Sequence, residues 1–433
     1  LLATAAFAAH PLCTQSVTRL SGQTDPMCAA LGVASLCCLM RAPDGGWRAW
    51  LLGALAVVLL LGSLGAKELG LVVVAAGALA VWQRGPGDPR WQVRVGIVIA
   101  MIVGACAYLQ YRLNVVGSMG LDVARPTASV LSAVVMSCTL AVGYLRDVLL
   151  PHPTVLSDAV AVPTGLTADG LAAMVLVSML LLVTAYGVVR RRAWAFGLAW
   201  YAVWLAPVSG IVPLRHWRAE RYLYPAAWGL LLTVALLLAP VYAWLERRIG
   251  RVAMALPAVA IAMLIVVTNH GNGYWADDAT LFADAIERDP RYVEGRVHVA
   301  TQASDGGAYD TAITHFERAI ADANDPTLAA YWSPFVTHHN FGVALYRAGD
   351  AHAAAGRDAQ ARALYRRALE QYQLAVRARP HNAVAHFHLG LTHRRLGDLR
   401  AALGAFEQSM RLKPDAKTRD AIAWVKYQLQ RGG

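Results

Sequence analysis

As far as about His270 the chain alternates long apolar runs with short polar breaks; beyond it come short amphipathic stretches in which large residues recur every three or four positions. About 20 mainly apolar residues suffice for a helix to cross a bilayer. Runs of that kind fall at roughly 24–41, 48–64, 67–82, 92–111, 169–189, 194–213, 222–245 and 252–269, and 1–11 reads as the tail of another. The stretch 130–149 is apolar enough to span, yet it ends in Arg146 and Asp147 ahead of Pro151 and Pro153, so the pattern alone leaves it open. Leu1 lies inside an apolar run, and an upstream segment is expected.

Composition sharpens this division. Of 433 residues 57% are hydrophobic and 15% charged, which excludes a disordered chain and departs from the roughly one-quarter charged content of soluble domains. The first 270 residues hold 19 Lys+Arg against 10 Asp+Glu, the remainder 20 against 18, so nearly all of the +11 net charge lies between apolar runs. There it orients membrane helices, and the near-neutral second part carries no nucleic-acid signature. Four basic breaks, with Arg41 and Arg48, with Arg84, Arg90 and Arg94, with Arg190, Arg191 and Arg192, and with Arg247, Arg248 and Arg251, share one side only if 130–149 does not cross. The expectation is therefore an excursion over about 113–168 on the opposite face, with 130–149 re-entrant or surface-lying, and 11 basic residues inside against 8 outside. The C-terminal part then lies outside the cytoplasm. Cys13, Cys28, Cys37, Cys38, Cys106 and Cys138 show no zinc or disulfide spacing and read as packing residues.

This topology gathers His10, Arg19, Asp25, Lys67, Glu68, Arg112, Arg215, His216, Arg218, Glu220, Arg221, Tyr222 and Tyr224 on the outer face. Ionisable groups at a membrane boundary cost free energy unless paired, solvated or functional. Singly each reads as a solvated or snorkelling residue; as a set they form a basic pocket with a few carboxylates, suited to the phosphate of an anionic lipid.

From Trp275 the register is that of paired helices with a period of 34: Pro380 and Pro414 bracket His386, Leu389, Gly390, His393, Ala402 and Phe406. Phe341, Gly342, Ala368, Tyr372 and Ala375 repeat it upstream, lengthened by about 14 residues around 351–363; Ala312, Phe316 and Ala319 keep it before that, and Leu281 to Ala285 reads as an earlier second helix. The fold class predicted is all-α, a polytopic helix bundle over 1–270 followed by a tetratricopeptide-repeat superhelix over 275–433 with a capping helix, whose concave face takes a protein partner. The histidines His338, His339, His381, His386, His388 and His393 are scattered over helix faces, and no metal is expected.

His10-Pro11-Leu12-Cys13-Thr14-Gln15-Ser16-Val17 followed by Ser21-Gly22-Gln23-Thr24-Asp25, then Ala66-Lys67-Glu68, Glu220-Arg221-Tyr222-Leu223-Tyr224 and Trp275 with Leu281-Phe282, resembles the transmembrane and tetratricopeptide-repeat O-mannosyltransferases and their bacterial relatives, multi-span glycosyltransferases of the GT-C type. The ordered set carries the resemblance; Gln23-Thr24 before Asp25 and Pro225 after Tyr224 depart from the family pattern. The resemblance implies transfer of a sugar, typically mannose, from a polyprenyl-phosphate carrier to Ser or Thr hydroxyls of a protein acceptor on the extracytoplasmic face of a bacterial inner membrane. Arg221, Arg218 and Lys67 are then candidate lipid-phosphate binders, Glu220, Glu68, His10 and Tyr222 candidate orienting groups, and Asp25 a site carboxylate, with the principal base expected upstream of Leu1. No cofactor beyond the lipid-linked donor is predicted. A non-enzymatic membrane-anchored repeat scaffold and a lipid-linked glycan ligase or polymerase are the alternatives.

Overall fold

The computed structural model describes residues 1–433 except 19–22, 117–128, 154, 155, 157, 158, 164, 211–215, 330, 432 and 433. Arg19, Ser21, Gly22, Arg215 and part of the expected excursion lie outside the described residues. The chain divides into two compact units, Leu1–Asp277 and Asp278–Gly433, and both are all-α.

The first unit contains α1 (Leu2–Ala9), α2 (Thr14–Thr18), α3 (Thr24–Arg41), α4 (Trp47–Ala66), α5 (Val72–Arg84), α6 (Trp91–Val116), α7 (Val130–Leu149), α8 (Ala168–Val189), α9 (Ala193–Leu205), α10 (Tyr224–Ile249) and α11 (Ala255–Asn272). Local chemistry sets several starts. Ser129 and Thr167 accept the backbone N–H groups of Ser132 and Gly170 and so cap α7 and α8, while Pro225 sits in the first turn of α10, where its missing N–H costs nothing. By length and composition α4, α6, α7, α8 and the stretch from Glu220 to Trp275 are apolar enough to cross a membrane. The run expected at 67–82 is not one long helix: Glu68–Leu71 is a 3-10 turn and α5 has only 13 residues. The run expected at 194–213 likewise ends early, in the 3-10 turn Ala206–Val208. Gly70 lies in the first of these turns and Pro207 in the second.

Where the helices meet fixes the two ends of this unit. Trp82 Nε1 donates to the Val188 carbonyl at 3.2 Å, Arg191 stacks on Trp82 with 5.4 Å to the ring centroid, and Arg94 donates to the Met40 carbonyl at 2.6 Å. The ends of α3, α5 and α8 and the start of α6 therefore share one arginine-rich end. The ends of α1, α4 and α6 and the starts of α3, α8 and α10 lie at the opposite, polar end. α9 and α10 touch backbone to backbone: a Cβ on Gly197 would stand 2.3 Å from the Gly229 oxygen, so only glycine fits.

α7 crosses the polar ends of its neighbours instead of running alongside them. Its Val135 lies against Gly170 at the start of α8, its Leu140 against Gly210 just past α9, and its Tyr144 hydroxyl accepts the Ala219 N–H at 3.2 Å ahead of α10. The face that makes these contacts, Ser132, Val135, Met136, Leu140, Tyr144, Asp147 and Val148, recurs every three or four residues and is buried.

The second unit stacks α12 (Asp278–Arg288), α13 (Val293–Asp305), α14 (Tyr309–Ala323), α15 (Pro334–Ala354), α16 (Asp358–Ala378), α17 (Ala383–Leu396), α18 (Leu399–Leu412) and α19 (Ala416–Arg431). Its core joins Ala300, Ala312, Phe316, Phe341, Ala344, Ala368 and Tyr372, and a further cluster holds Ala402, Phe406, Ala421 and Val425. Small residues face large ones by design of the repeat: a Cβ on Gly390 would meet the Phe406 ring at 2.6 Å, and one on Gly342 the Tyr372 ring at 2.8 Å. The extra residues around 351–363 lengthen α15 and α16 to 21 residues each, against 13 to 15 in the flanking pairs.

Candidate functional site

The polar end brings together most of the outer-face residues that fall among the described ones, in two adjoining groups. The first centres on Tyr222. Lys67 Nζ lies 5.8 Å and the Arg221 guanidinium 5.4 Å from its ring centroid, so two cations share one aromatic residue. Lys67 also forms an ion pair with Asp25, whose carboxylate is buried. The extended Lys67 backbone and the 3-10 turn after it turn Glu68 elsewhere: it pairs with Arg112 and is half exposed. Glu68, a candidate orienter of the phosphate-binding cations, is thus paired with Arg112 instead; Asp25 holds Lys67, because a buried carboxylate gains most from a nearby ammonium. The Arg221 backbone N–H donates to buried Gln15 Oε1 at 2.7 Å, and the Tyr222 hydroxyl to the His216 carbonyl at 3.1 Å, tying 216–224 to the segment after α1.

The second group is built on Asp147, which is completely buried. Arg218 Nη2 donates to its Oδ2 at 2.6 Å, Arg146 Nη2 lies 3.2 Å and His152 Nε2 3.4 Å from its Oδ1. Glu220 is buried as well and acts electrostatically on both Arg218 and His152. The side-chain bond to Asp147 raises the proton affinity of His152; burial opposes this, and the Pro153 carbonyl adds to it. His10, expected as an orienting group near the phosphate, is instead buried against the end of α7: its Nε2 donates to the Val148 carbonyl at 3.1 Å and its Nδ1 accepts the Leu12 N–H at 3.3 Å. Those two bonds fix its tautomer. It thereby ties the end of α1 to the end of α7, 138 residues away in sequence, where an orienting role near the phosphate was expected.

Asp147, His152 and Gln15 were not among the residues singled out as chemistry. Asp147 and Arg146 appear in sequence as the polar end of an ambiguous run, and nothing local says that one becomes buried. Beside this group lies a cavity of about 870 Å³ lined by α7, α8, α9 and α10, almost wholly apolar, with Tyr201 in its lining. No cluster of three or more metal-ligating side chains occurs among the described residues.

Residues 340–415 match the family model of the tetratricopeptide repeat. This part of the chain is a tetratricopeptide-repeat element. Among curated proteins none matches the chain. Among solved structures it is similar to yeast Tom70, at 13% identity over 89% of this chain and 85% of that one, with a TM-score of 0.29, too low to carry an argument. The repeat element is a helical scaffold of the kind that binds protein partners.

Proposed function

We propose that the first unit is a membrane-embedded glycosyltransferase that moves a sugar, mannose on the family resemblance, from a polyprenyl-phosphate carrier to Ser or Thr hydroxyls of proteins on the extracytoplasmic face of a bacterial inner membrane. On this reading the repeats bind the acceptor or a partner. The observation that carries it is the gathering at one end of an apolar helical unit of Lys67 and Arg218, each paired with a buried carboxylate, and of Arg221, which shares the Tyr222 ring with Lys67. An apolar unit that serves only as an anchor has no need of such a group.

Chemistry assigns the roles. The acceptor hydroxyl attacks the anomeric carbon, the bond from that carbon to the phosphate oxygen breaks, and the hydroxyl proton passes to a carboxylate. Lys67, Arg218 and Arg221 stabilise the phosphate as its negative charge grows. Asp25, buried and already paired with Lys67, is assigned as the holder of that cation.

The test is transfer of labelled mannose from polyprenyl-phosphoryl-mannose to a Ser/Thr-rich peptide by the full-length protein in nanodiscs. Arg221→Ala abolishes transfer on this reading; full activity in that variant removes the assignment. A second reading, a non-enzymatic envelope scaffold, draws on the repeat match at 340–415. Co-purification of a stable partner, with no change in glycosylation when the protein is deleted, would favour it.

A further inference from the structure

We infer that Asp147 is a positioning residue for Arg218 and that His152 regulates the pair, the three forming a phosphate seat whose hold on a singly charged phosphodiester tightens when His152 takes up a proton. The inference rests on the lipid-phosphate reading above and adds to it a residue and a control that the sequence pattern did not single out.

The arrangement divides the labour by depth. Asp147 is wholly buried and cannot meet a ligand, whereas Arg218 and His152 are each about one-third exposed, with side-chain accessibilities of 33%. Asp147 sits between them: Oδ2 takes Arg218, and Oδ1 faces His152 and Arg146. A guanidinium has five N–H donors, and the contact with Asp147 Oδ2 uses Nη2, so the fork is aimed while donors remain for phosphate oxygens.

Charge bookkeeping then gives the control. Among the described residues, the groups facing His152 are Asp147 from α7, the Pro153 carbonyl on its own segment, Glu220 from the turn before α10 and His10 from the segment after α1. Arg146, exposed to solvent, shares Asp147 but is screened. His10 stays neutral, held by its bonds to Val148 and Leu12, and does not compete. With His152 neutral, Arg218 faces two carboxylates and offers an anion little net charge. Protonated, His152 takes up part of the Asp147 charge, and the seat gains one positive unit beside the ligand.

The direction with pH follows. Asp147 raises the proton affinity of His152, so the charged form persists above the ordinary imidazole range and is lost as pH rises through the raised value. A phosphodiester probe keeps its single charge over this range, so any change in its binding belongs to the protein.

The experiment uses the whole chain in nanodiscs and polyprenyl-phosphoryl-mannose as probe, with equilibrium binding measured between about pH 5.5 and 8.5. Wild type is expected to lose affinity by about tenfold, the effect of a single nearby charge, as pH rises through the His152 titration. His152→Gln is expected to bind at the weak level throughout. Asp147→Asn, checked for folding by its thermal midpoint, is expected to move the midpoint of the binding curve to lower pH, which loss of packing alone would not do. A flat wild-type curve, or a His152→Gln curve that follows wild type, overturns the inference and leaves the glycosyltransferase reading standing. Absence of probe binding at every pH overturns both.

Discussion

Asp147 and Arg218, 71 residues apart, meet at 2.6 Å with the carboxylate sealed from solvent. The bond joins α7 to the segment that leads into α10, and the Tyr144 to Ala219 bond reinforces it one turn away. Geometry of this kind makes the polar end a single construction: moving α7 would move Arg218.

Asp147→Ala is therefore expected to destabilise the first unit. Breaking a buried ion pair by removing one partner costs about 3–5 kcal/mol, and the partial exposure of Arg218 reduces this to about 2–3 kcal/mol. Thermal unfolding of the detergent-solubilised chain, followed by tryptophan emission, would check it; a midpoint equal to wild type would contradict the structural role.

Lys67→Met leaves the Asp25 carboxylate buried beside Cys28 and Ser63 without its cation. The expected result is a fall of tenfold or more in mannose transfer together with a loss of stability, since an uncompensated buried charge is costly. Lys67→Arg should retain the fold, because it restores a cation to Asp25. Equal transfer by the Met variant and wild type would remove Lys67 from the phosphate site.

In the repeat unit Gly390→Ala is expected to cost about 1–3 kcal/mol, because the added Cβ collides with the Phe406 ring. Phe406→Ala removes the same contact from the other side and leaves a cavity, at about 3–5 kcal/mol. The double variant should cost less than the sum, since the partners share one space. Denaturant unfolding followed by circular dichroism would measure the coupling.

His388 gives the repeat unit a pH dependence. Its ring stacks on Tyr372 with 5.5 Å between centroids and lies 5.1 Å from His339; burial and the neighbouring charges of His339 and Arg347 lower its pKa to about 4. The unfolded chain binds a proton near 6.5 and the folded one does not, so the stability it contributes is present above that value and is lost as pH falls toward 4. The loss is up to about 3 kcal/mol. His388→Phe should flatten this part of the stability curve, and an unchanged slope would show that other groups carry it.

Legibility in the sequence followed the range of the interaction. The register that places Gly390 against Phe406, and Gly342 against Tyr372, repeats at fixed spacing, so the sequence alone pairs neighbouring helices. Lys67 and Tyr222 could be singled out as candidates because charge and aromaticity stand out against an apolar background. Their partners could not be named. Lys67 pairs with Asp25 rather than its neighbour Glu68 because the extended backbone at Lys67 and the turn after it send the two side chains apart.

By itself the sequence determined what hydrophobic period and composition dictate: an all-α chain, an apolar unit ahead of a repeat unit, and a surplus of charge confined to the breaks between apolar runs. Only the tertiary structure decided that α7 lies across the polar ends of α8, α9 and α10, that His10 is spent on pinning it, and that Asp147 is buried beneath Arg218 and His152. These depend on contacts between residues up to 138 positions apart, and no local pattern encodes which distant carbonyl or guanidinium a buried group will meet.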